Sequence, residues 1–110
     1  MRSLKVHKIY RHFKGKKYIV IGVSKPVEVL FNCDAIHTVF HTELEVNIGL
    51  SDSGGKYYHS KSIDKNMLVI YKQISLDTKI YARPIDMFLS EVDKEKYPQV
   101  KQKYRMEEVR

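Results

Sequence analysis

Apolar and polar residues alternate with a period of two along most of this chain, which is the pattern of half-buried β-strands. Residues 9–13 alternate in this way, and residues 18–23 are rich in β-branched and aromatic side chains. Gly15 lies among lysines between these segments, where a turn needs a flexible residue. The pattern predicts either a hairpin or a loop followed by a strand over residues 8–23.

A second hairpin is predicted near the middle of the chain. The period of two runs through residues 44–50, and the turn-forming cluster 51–55 and the pair Tyr57 and Tyr58 follow it. Residues 67–74 then carry the strongest strand signal in the sequence.

A proline corner is predicted at the end of the next strand. Residues 79–83 have a strand pattern, and Pro84 cannot donate a hydrogen bond to a strand ladder. We therefore expect the strand to end there and a tight turn to return Ile85, Met87 and Phe88 to the core.

The segment between Asp34 and Glu45 fits a helix better than a strand. Its apolar residues recur at helical spacing, and Asp34 has the chemistry of a helix cap. A short amphipathic helix is the first prediction for this segment, with a strand as the alternative. The apolar positions are Ile36, Val39, Phe40 and Leu44.

The C-terminal residues become strongly charged after Asp93. Tyr97, Val100 and Tyr104 are spaced for one face of a helix, and Pro98 is tolerated in a first turn. Two structures remain open, a short helix or an extended arm packed by these side chains.

Several sequence blocks resemble a bacterial family known as domain of unknown function 1653. The order of the blocks matches, and the Arg-Pro block followed by Met-Phe is the most specific of them. The resemblance implies a small SH3-like β barrel and implies no catalytic residue or cofactor. The blocks are Tyr10-Arg11-His12-Phe13-Lys14-Gly15, then Tyr18, Val20, Gly22 and Val23, then Leu68-Val69-Ile70-Tyr71, then Tyr81-Ala82-Arg83-Pro84-Ile85-Asp86-Met87-Phe88, with a similar tail at 90–105.

The chain departs from the family pattern between Ser24 and Met67. A typical member joins its strands there with a short His-Thr-Glu segment, and His41-Thr42-Glu43 is either that segment displaced or a coincidence. We therefore expect a single domain in which a central insertion and a C-terminal extension join a barrel core. The expected ranges are 8–24 and 67–92 for the core, 25–66 for the insertion and 93–110 for the extension.

Composition favours one cytoplasmic domain. The chain has 110 residues, a single cysteine and no apolar run long enough for a membrane span or a cleavable signal. Its net charge of +7 arises in residues 1–27, which contain eight basic and no acidic residues. Such a field attracts phosphate backbones or an acidic protein surface.

The candidate binding residues lie in two places. Near the N-terminus, basic and aromatic residues interleave as they do on surfaces that bind single-stranded nucleic acid. At the proline corner, Arg83 and Asp86 form a structural ion pair or, with the N-terminal group, a ligand site. The N-terminal candidates are Arg11, His12, Lys14, Lys16 and Lys17.

Neither a metal site nor an active site is expected. Cys33, His37 and His41 would lie along one stripe of a helix, but two histidines and one thiol lack the fourth ligand that zinc prefers. Phosphate-loop, nucleophile-elbow and paired-cysteine motifs are missing. The sequence predicts a non-catalytic binding or adaptor module without a cofactor, whose partner is a protein or, alternatively, RNA or DNA.

Overall fold

Eight β-strands and one helical turn form the part of the chain that the structure, a computed structural model, describes: residues 2–28, 35–75 and 79–109. The elements in chain order are β1 (Ile9–His12), β2 (Lys17–Val27), β3 (Ala35–His41), β4 (Val46–Ser53), β5 (Lys56–Ser60), β6 (Leu68–Gln73), β7 (Ile80–Pro84), α1 (Ile85–Phe88) and β8 (Met106–Glu108).

Six of these strands close into a small barrel in the order β2, β5, β4, β3, β7, β6 and back to β2. The β2–β5 and β3–β7 pairs are parallel, and the other neighbouring pairs are antiparallel. β1 pairs with the start of β2 outside the barrel, and β8 pairs with β1. The prediction of a mainly β protein with a small barrel is therefore confirmed.

Strand β6 separates two apolar cores because both of its faces are buried. Leu68 and Ile70 point into the barrel, where they join a cluster from β3, β4 and β7. Val69 and Tyr71 point outward into a second cluster with Tyr10, Val20, Phe88 and Met106. Full burial of an apolar side chain stabilises a fold by about 1.5–3 kcal/mol. The second cluster therefore fixes β1, α1 and β8 on the outside of the barrel wall.

The helix predicted between Asp34 and Glu45 is wrong, because residues 35–41 form β3. β3 pairs with β4 at seven positions and with β7 at two. Only Val39 of the four apolar positions is fully buried, whereas Ile36 is 75% exposed and Leu44 is 48% exposed. The helical spacing therefore does not describe one buried face, and pairing with strands on both sides decides the conformation.

The expected insertion is also part of the barrel wall. Residues 35–60 supply β3, β4 and β5, which are three of the six strands that close the barrel. Sequence periodicity could not distinguish an inserted hairpin from strands of the barrel wall. The barrel closes through the pairs β2–β5 and β3–β7, whose strands are distant in sequence.

The proline corner is confirmed. β7 ends at Pro84, and the single turn of α1 follows directly and buries Phe88 completely. Beyond α1 the described chain is an extended arm with turns, and no helix occurs between residues 93 and 109. The arm returns along the barrel, where Val92 and Lys103 share a backbone hydrogen bond.

None of the helical residues in the described ranges forms a segment long and apolar enough to span a membrane.

Candidate anion-binding cleft

A cleft of about 310 Å³ lies between the β1–β2 turn and the C-terminal arm. Its basic side chains come from three separate parts of the chain, because the sheet brings β1 and β7 near the residues that precede β8. The residues that line it are His12, Phe13, Lys14, Arg83, Val92, Asp93, Lys96, Tyr97 and Arg105.

Arg105 provides the most unusual group in this cleft. Its Nε atom is buried and has no hydrogen-bond partner among the described residues. Its backbone is fixed on both sides, since Arg105 N–H donates to Ser90 O at 2.9 Å and Phe13 N–H donates to Arg105 O at 3.0 Å. A buried donor without an acceptor costs about 1–3 kcal/mol, so Arg105 Nε destabilises the described structure.

Arg83 enters the cleft from β7. It pairs in register with Val69 on β6, so its side chain lies on the outer face of the barrel wall. Its Nε donates to Thr42 Oγ1 at 3.0 Å, and Nη2 lies 3.9 Å from Glu43 Oε2. The side chain is only 17% exposed, and these contacts leave part of its planar donor fork for a ligand.

The imidazole ring of His12 in the cleft is neutral and carries one N–H donor. Its Nδ1 accepts a hydrogen bond from Lys14 N–H at 3.0 Å, which places the ring proton on Nε2. Burial, and then the positive charges of Arg83, Arg105 and Lys14, lower the pKa of His12 from 6.5 to about 4. The depressed pKa also reports a positive local field.

Two aromatic rings form the rim of the cleft. Phe13 and Tyr97 lie 4.9 Å apart between ring centroids, and Lys14 Nζ lies within 6 Å of both. Lys96 Nζ lies 5.5 Å from the Tyr97 ring. Cationic and aromatic groups thus share the same rim, which suits a ligand with a negative charge and a ring.

Asp93 is the acidic residue in the cleft lining, and its carboxylate is engaged locally. Its Oδ1 accepts the backbone N–H groups of Glu95 and Lys96 at 3.0 and 3.3 Å. The lining of this cleft therefore has four basic side chains and one carboxylate that is occupied by its own turn.

A smaller chamber of about 150 Å³ shares His12 and Arg83 with this cleft. Its other walls are Thr42 and the hydroxylated rings of Tyr18, Tyr71 and Tyr81. Burial raises the pKa of Tyr71 to about 12, so its phenol remains protonated at neutral pH.

The structure places only some of the candidate residues together. His12, Lys14 and Arg83 line the cleft. Arg11, Lys16 and Lys17 are exposed and are not among its lining residues. Asp86 is exposed on α1 and makes no ion pair with Arg83, because Arg83 turns toward Thr42 and Glu43.

Sequence reasoning missed two residues of the cleft, Lys96 and Arg105. Both lie in the charged tail, where a solvent-exposed surface is the usual explanation of such a pattern. No local signal marks Arg105, because its burial depends on contacts with residues near position 13 and position 90.

A separate polar network is buried at the end of the barrel. Ser24 Oγ lies 2.7 Å from His59 Nδ1, His59 Nε2 donates to Asp64 O at 3.0 Å, and His41 Nε2 lies 2.7 Å from Asp64 Oδ2. His41 Nδ1 in turn accepts two backbone N–H groups of the β3–β4 turn. The Ser24, His41 and His59 side chains are inaccessible, so this network holds strands together.

The metal site considered for Cys33, His37 and His41 assumed that these residues lie on a helix. His37 and His41 both lie on β3, where four residues span about 13 Å. Cys33 falls outside the described residues. Among the residues that are described, no group of three potential metal ligands occurs.

The model of the family described as Protein of unknown function (DUF1653) matches residues 56–108 of the chain. The matched segment includes Arg83 and Arg105 of the cleft, whereas His12 and Lys14 precede it. Neither a curated protein nor a solved structure matches the chain, so the SH3-like relationship stays a prediction.

Proposed function

We propose that this chain, which belongs to the DUF1653 family, has a non-catalytic binding function. In this function the cleft around Arg83 and Arg105 holds an anionic group of a partner. The observation that carries this proposal is the buried Arg105 Nε, which has no acceptor among the described residues, in a side chain that lines the same cleft as Arg83 and His12. A binding site must keep such a donor free, and an anion repays the cost when it enters.

The arrangement of charge supports the same proposal. Burial is the largest cause of the low pKa of His12, and the positive charges of Arg83, Arg105 and Lys14 lower this pKa further. Like charges held near one another destabilise an empty site and stabilise one that contains an anion. A partner that presents a phosphate or a carboxylate satisfies this field.

Nuclear magnetic resonance can test this proposal directly. Sodium phosphate and sodium sulfate are titrated at constant ionic strength into the full chain, with sodium chloride as the reference. We expect the Arg105 Nε–H and His12 resonances to move in a saturable way. Arg105→Met should abolish the shifts, whereas Lys16→Gln removes an exposed charge and should preserve them. Absence of saturable shifts with both anions would refute the proposal.

Nucleic-acid binding is the second candidate function. The observation that favours it is the rim, where Phe13 and Tyr97 lie 4.9 Å apart and Lys14 approaches both rings. Bases stack on such rings while lysines meet phosphates. Filter binding of a single-stranded RNA at rising salt tests it, and Phe13→Leu should weaken binding. Equal binding by Phe13→Leu and the parent chain would contradict it.

A further inference from the structure

We propose that the cleft recognises the doubly charged phosphate of a monoester whose substituent carries a ring. This inference rests on the proposed function and specifies its ligand. It makes three claims, which concern the charge of the ligand, the number of its acceptor oxygens and the place of its substituent.

The charge of the cleft exceeds what a carboxylate can neutralise. Four basic side chains and the Asp93 carboxylate line it, and Glu43 lies 3.9 Å from Arg83, so four positive and two negative charges leave a surplus of two positive charges. A carboxylate or a sulfate monoester brings one negative charge, whereas a phosphate monoester brings nearly two at neutral pH. The surplus of positive charge therefore favours the phosphate.

The donors also match the shape of phosphate. They come from three elements that converge on one cavity, with His12 on β1, Arg83 on β7 and Arg105 before β8. A phosphate monoester presents three strong acceptor oxygens in three different directions, whereas the two oxygens of a carboxylate lie in one plane.

The pH dependence that distinguishes a phosphate from a sulfate comes from the ligand. In the empty cleft the His12 ring is neutral above about pH 5 and can donate through Nε2. A bound anion favours protonation of this ring whether the anion is a phosphate or a sulfate. The second ionisation of the phosphate, near pH 6, has no counterpart in a sulfate monoester. The charged or titratable groups facing His12 from the surrounding elements are Lys14, Arg83, Asp93, Lys96 and Arg105, with Tyr18, Tyr71 and Tyr81 in the adjoining chamber.

The rim supplies the place for the substituent. Phe13 and Tyr97 line the same cavity as Arg83 and Arg105, and both rings are partly exposed. We therefore expect a ring attached to the phosphate to contact Phe13 and Tyr97. The volumes of the cleft and its adjoining chamber, about 310 and 150 Å³, place the site in the ordinary range for small-molecule pockets.

Isothermal titration calorimetry, which measures the affinity of three matched probes for the full chain, tests this inference. Phenyl phosphate, phenyl sulfate and benzoate share a ring and differ in charge and in the number of acceptor oxygens. At pH 8 we expect phenyl phosphate to bind at least about tenfold more tightly than the other two. At pH 5 the ratio of the phenyl phosphate affinity to the phenyl sulfate affinity should fall at least threefold, because the phosphate has then taken up a proton and the sulfate has not.

Variants separate the specific geometry from the general charge. Arg105→Met should remove phenyl phosphate binding. Arg105→Lys keeps the charge but loses the planar guanidinium, so we expect it to weaken this binding about tenfold. Lys16→Gln should leave phenyl phosphate binding unchanged. Nuclear magnetic resonance spectra of each variant establish that it is folded. If Arg105→Met fails to fold, Phe13→Leu provides the second variant, and it should weaken phenyl phosphate more than inorganic phosphate.

The outcomes distinguish the two proposals. Binding of all three probes with similar affinity would overturn the phosphate inference and leave the anion-binding function intact. Binding of none of them, nor of phosphate or sulfate, would overturn both. An octathymidylate without a terminal phosphate has only singly charged phosphodiesters. If this oligonucleotide binds more tightly than phenyl phosphate, the phosphate inference is overturned and nucleic-acid binding is favoured.

Discussion

The ring of Tyr57 lies against Gly22 so closely that a β-carbon at position 22 would be 2.7 Å from Tyr57 Cε2. Tyr57 is on β5 and Gly22 is on β2, where the register with β6 shifts between Val20 and Gly22. A glycine at an irregularity in a strand often marks the close approach of another group. Here the approach closes the barrel at the parallel β2–β5 seam.

Gly22→Ala should therefore destabilise the protein by about 1–3 kcal/mol, because the new methyl group overlaps the Tyr57 ring. Gly49→Ala is the matched control, since a β-carbon at position 49 meets no atom within 4 Å. Urea unfolding of both variants measures the difference. Equal stability of the two variants would show that the Tyr57 ring moves aside without cost.

The buried His59 should make the protein less stable as the pH falls from 7.5 to 5. Burial lowers the pKa of His59, although the Asp64 carbonyl partly opposes this effect. The unfolded chain therefore binds the proton more readily, so stability is fully present above about pH 6.5 and is lost as the pH falls toward the native pKa. His12 contributes in the same direction.

Urea midpoints measured across this pH range provide the test for His59. In His59→Gln the decline should be shallower, whereas His37→Gln, which alters a half-exposed ring, should keep it. An unchanged slope in His59→Gln would mean that the buried ring does not contribute to the pH dependence.

The Asp64 carboxylate should stabilise the fold at neutral pH and lose this role in acid. Burial alone would raise the pKa of Asp64, but hydrogen bonds from Asn66 and His41 outweigh it and hold the pKa below 3.8. Asp64→Asn should cost about 1–3 kcal/mol at pH 7. The contribution is present above the unfolded pKa and disappears as the pH falls through the native one.

The difference in unfolding free energy between the parent chain and Asp64→Asn should thus narrow between pH 5 and pH 2.5. Asp86→Asn changes an exposed carboxylate and serves as the control, with little difference at either pH. A difference that stays constant down to pH 2.5 would contradict an ionised role for Asp64.

Arg2 should fasten the C-terminal strand to the end of α1. Its Nη1 donates to Leu89 O at 2.8 Å, its Nη2 donates to Met106 O at 2.6 Å, and its guanidinium lies 4.0 Å from the Tyr104 ring centroid. Arg2→Lys keeps the charge but cannot make this planar set of contacts, so we expect a loss of about 1–2 kcal/mol. Arg11→Lys, at an exposed site on β1, should change the urea midpoint little.

Arg105→Met should make the ligand-free protein more stable by about 0.5–2 kcal/mol, because it removes a buried donor that has no described acceptor. The same change should raise the pKa of His12 above 4, since Arg105 is one of the charges that lower it. Thermal unfolding and the titration of the His12 ring by nuclear magnetic resonance measure the two effects. A variant of lower stability would indicate that Arg105 has a structural role.

Much of the strand pattern was predictable because it depends on neighbours in the chain. The alternation before residues 51–55 gives the β4–β5 hairpin, the apolar run at 67–74 gives β6, and Pro84 ends β7 through its missing N–H group. The same reasoning failed at Ile36 and Val39, where a spacing typical of a helix occurs in a strand paired on both sides.

The cleft was predictable only in part. Interleaved basic and aromatic residues drew attention to His12 and Lys14, and the proline corner drew attention to Arg83. Arg105 and Lys96 have no local signal, because a charged tail looks the same whether it is solvated or folded back onto a barrel. Only the backbone contacts of Arg105 with Phe13 and Ser90 bring it into the site.

The sequence by itself determined the β character of the chain, its proline corner and its concentration of positive charge near the N-terminus, since each depends on residue types and their immediate spacing. The tertiary structure decided that β3 is a strand, that β2 and β5 close the barrel, and that four basic side chains surround one cleft. The physical reason is that closure and burial depend on pairings between distant segments, whose gain in contacts must exceed the entropy lost when the chain brings them together.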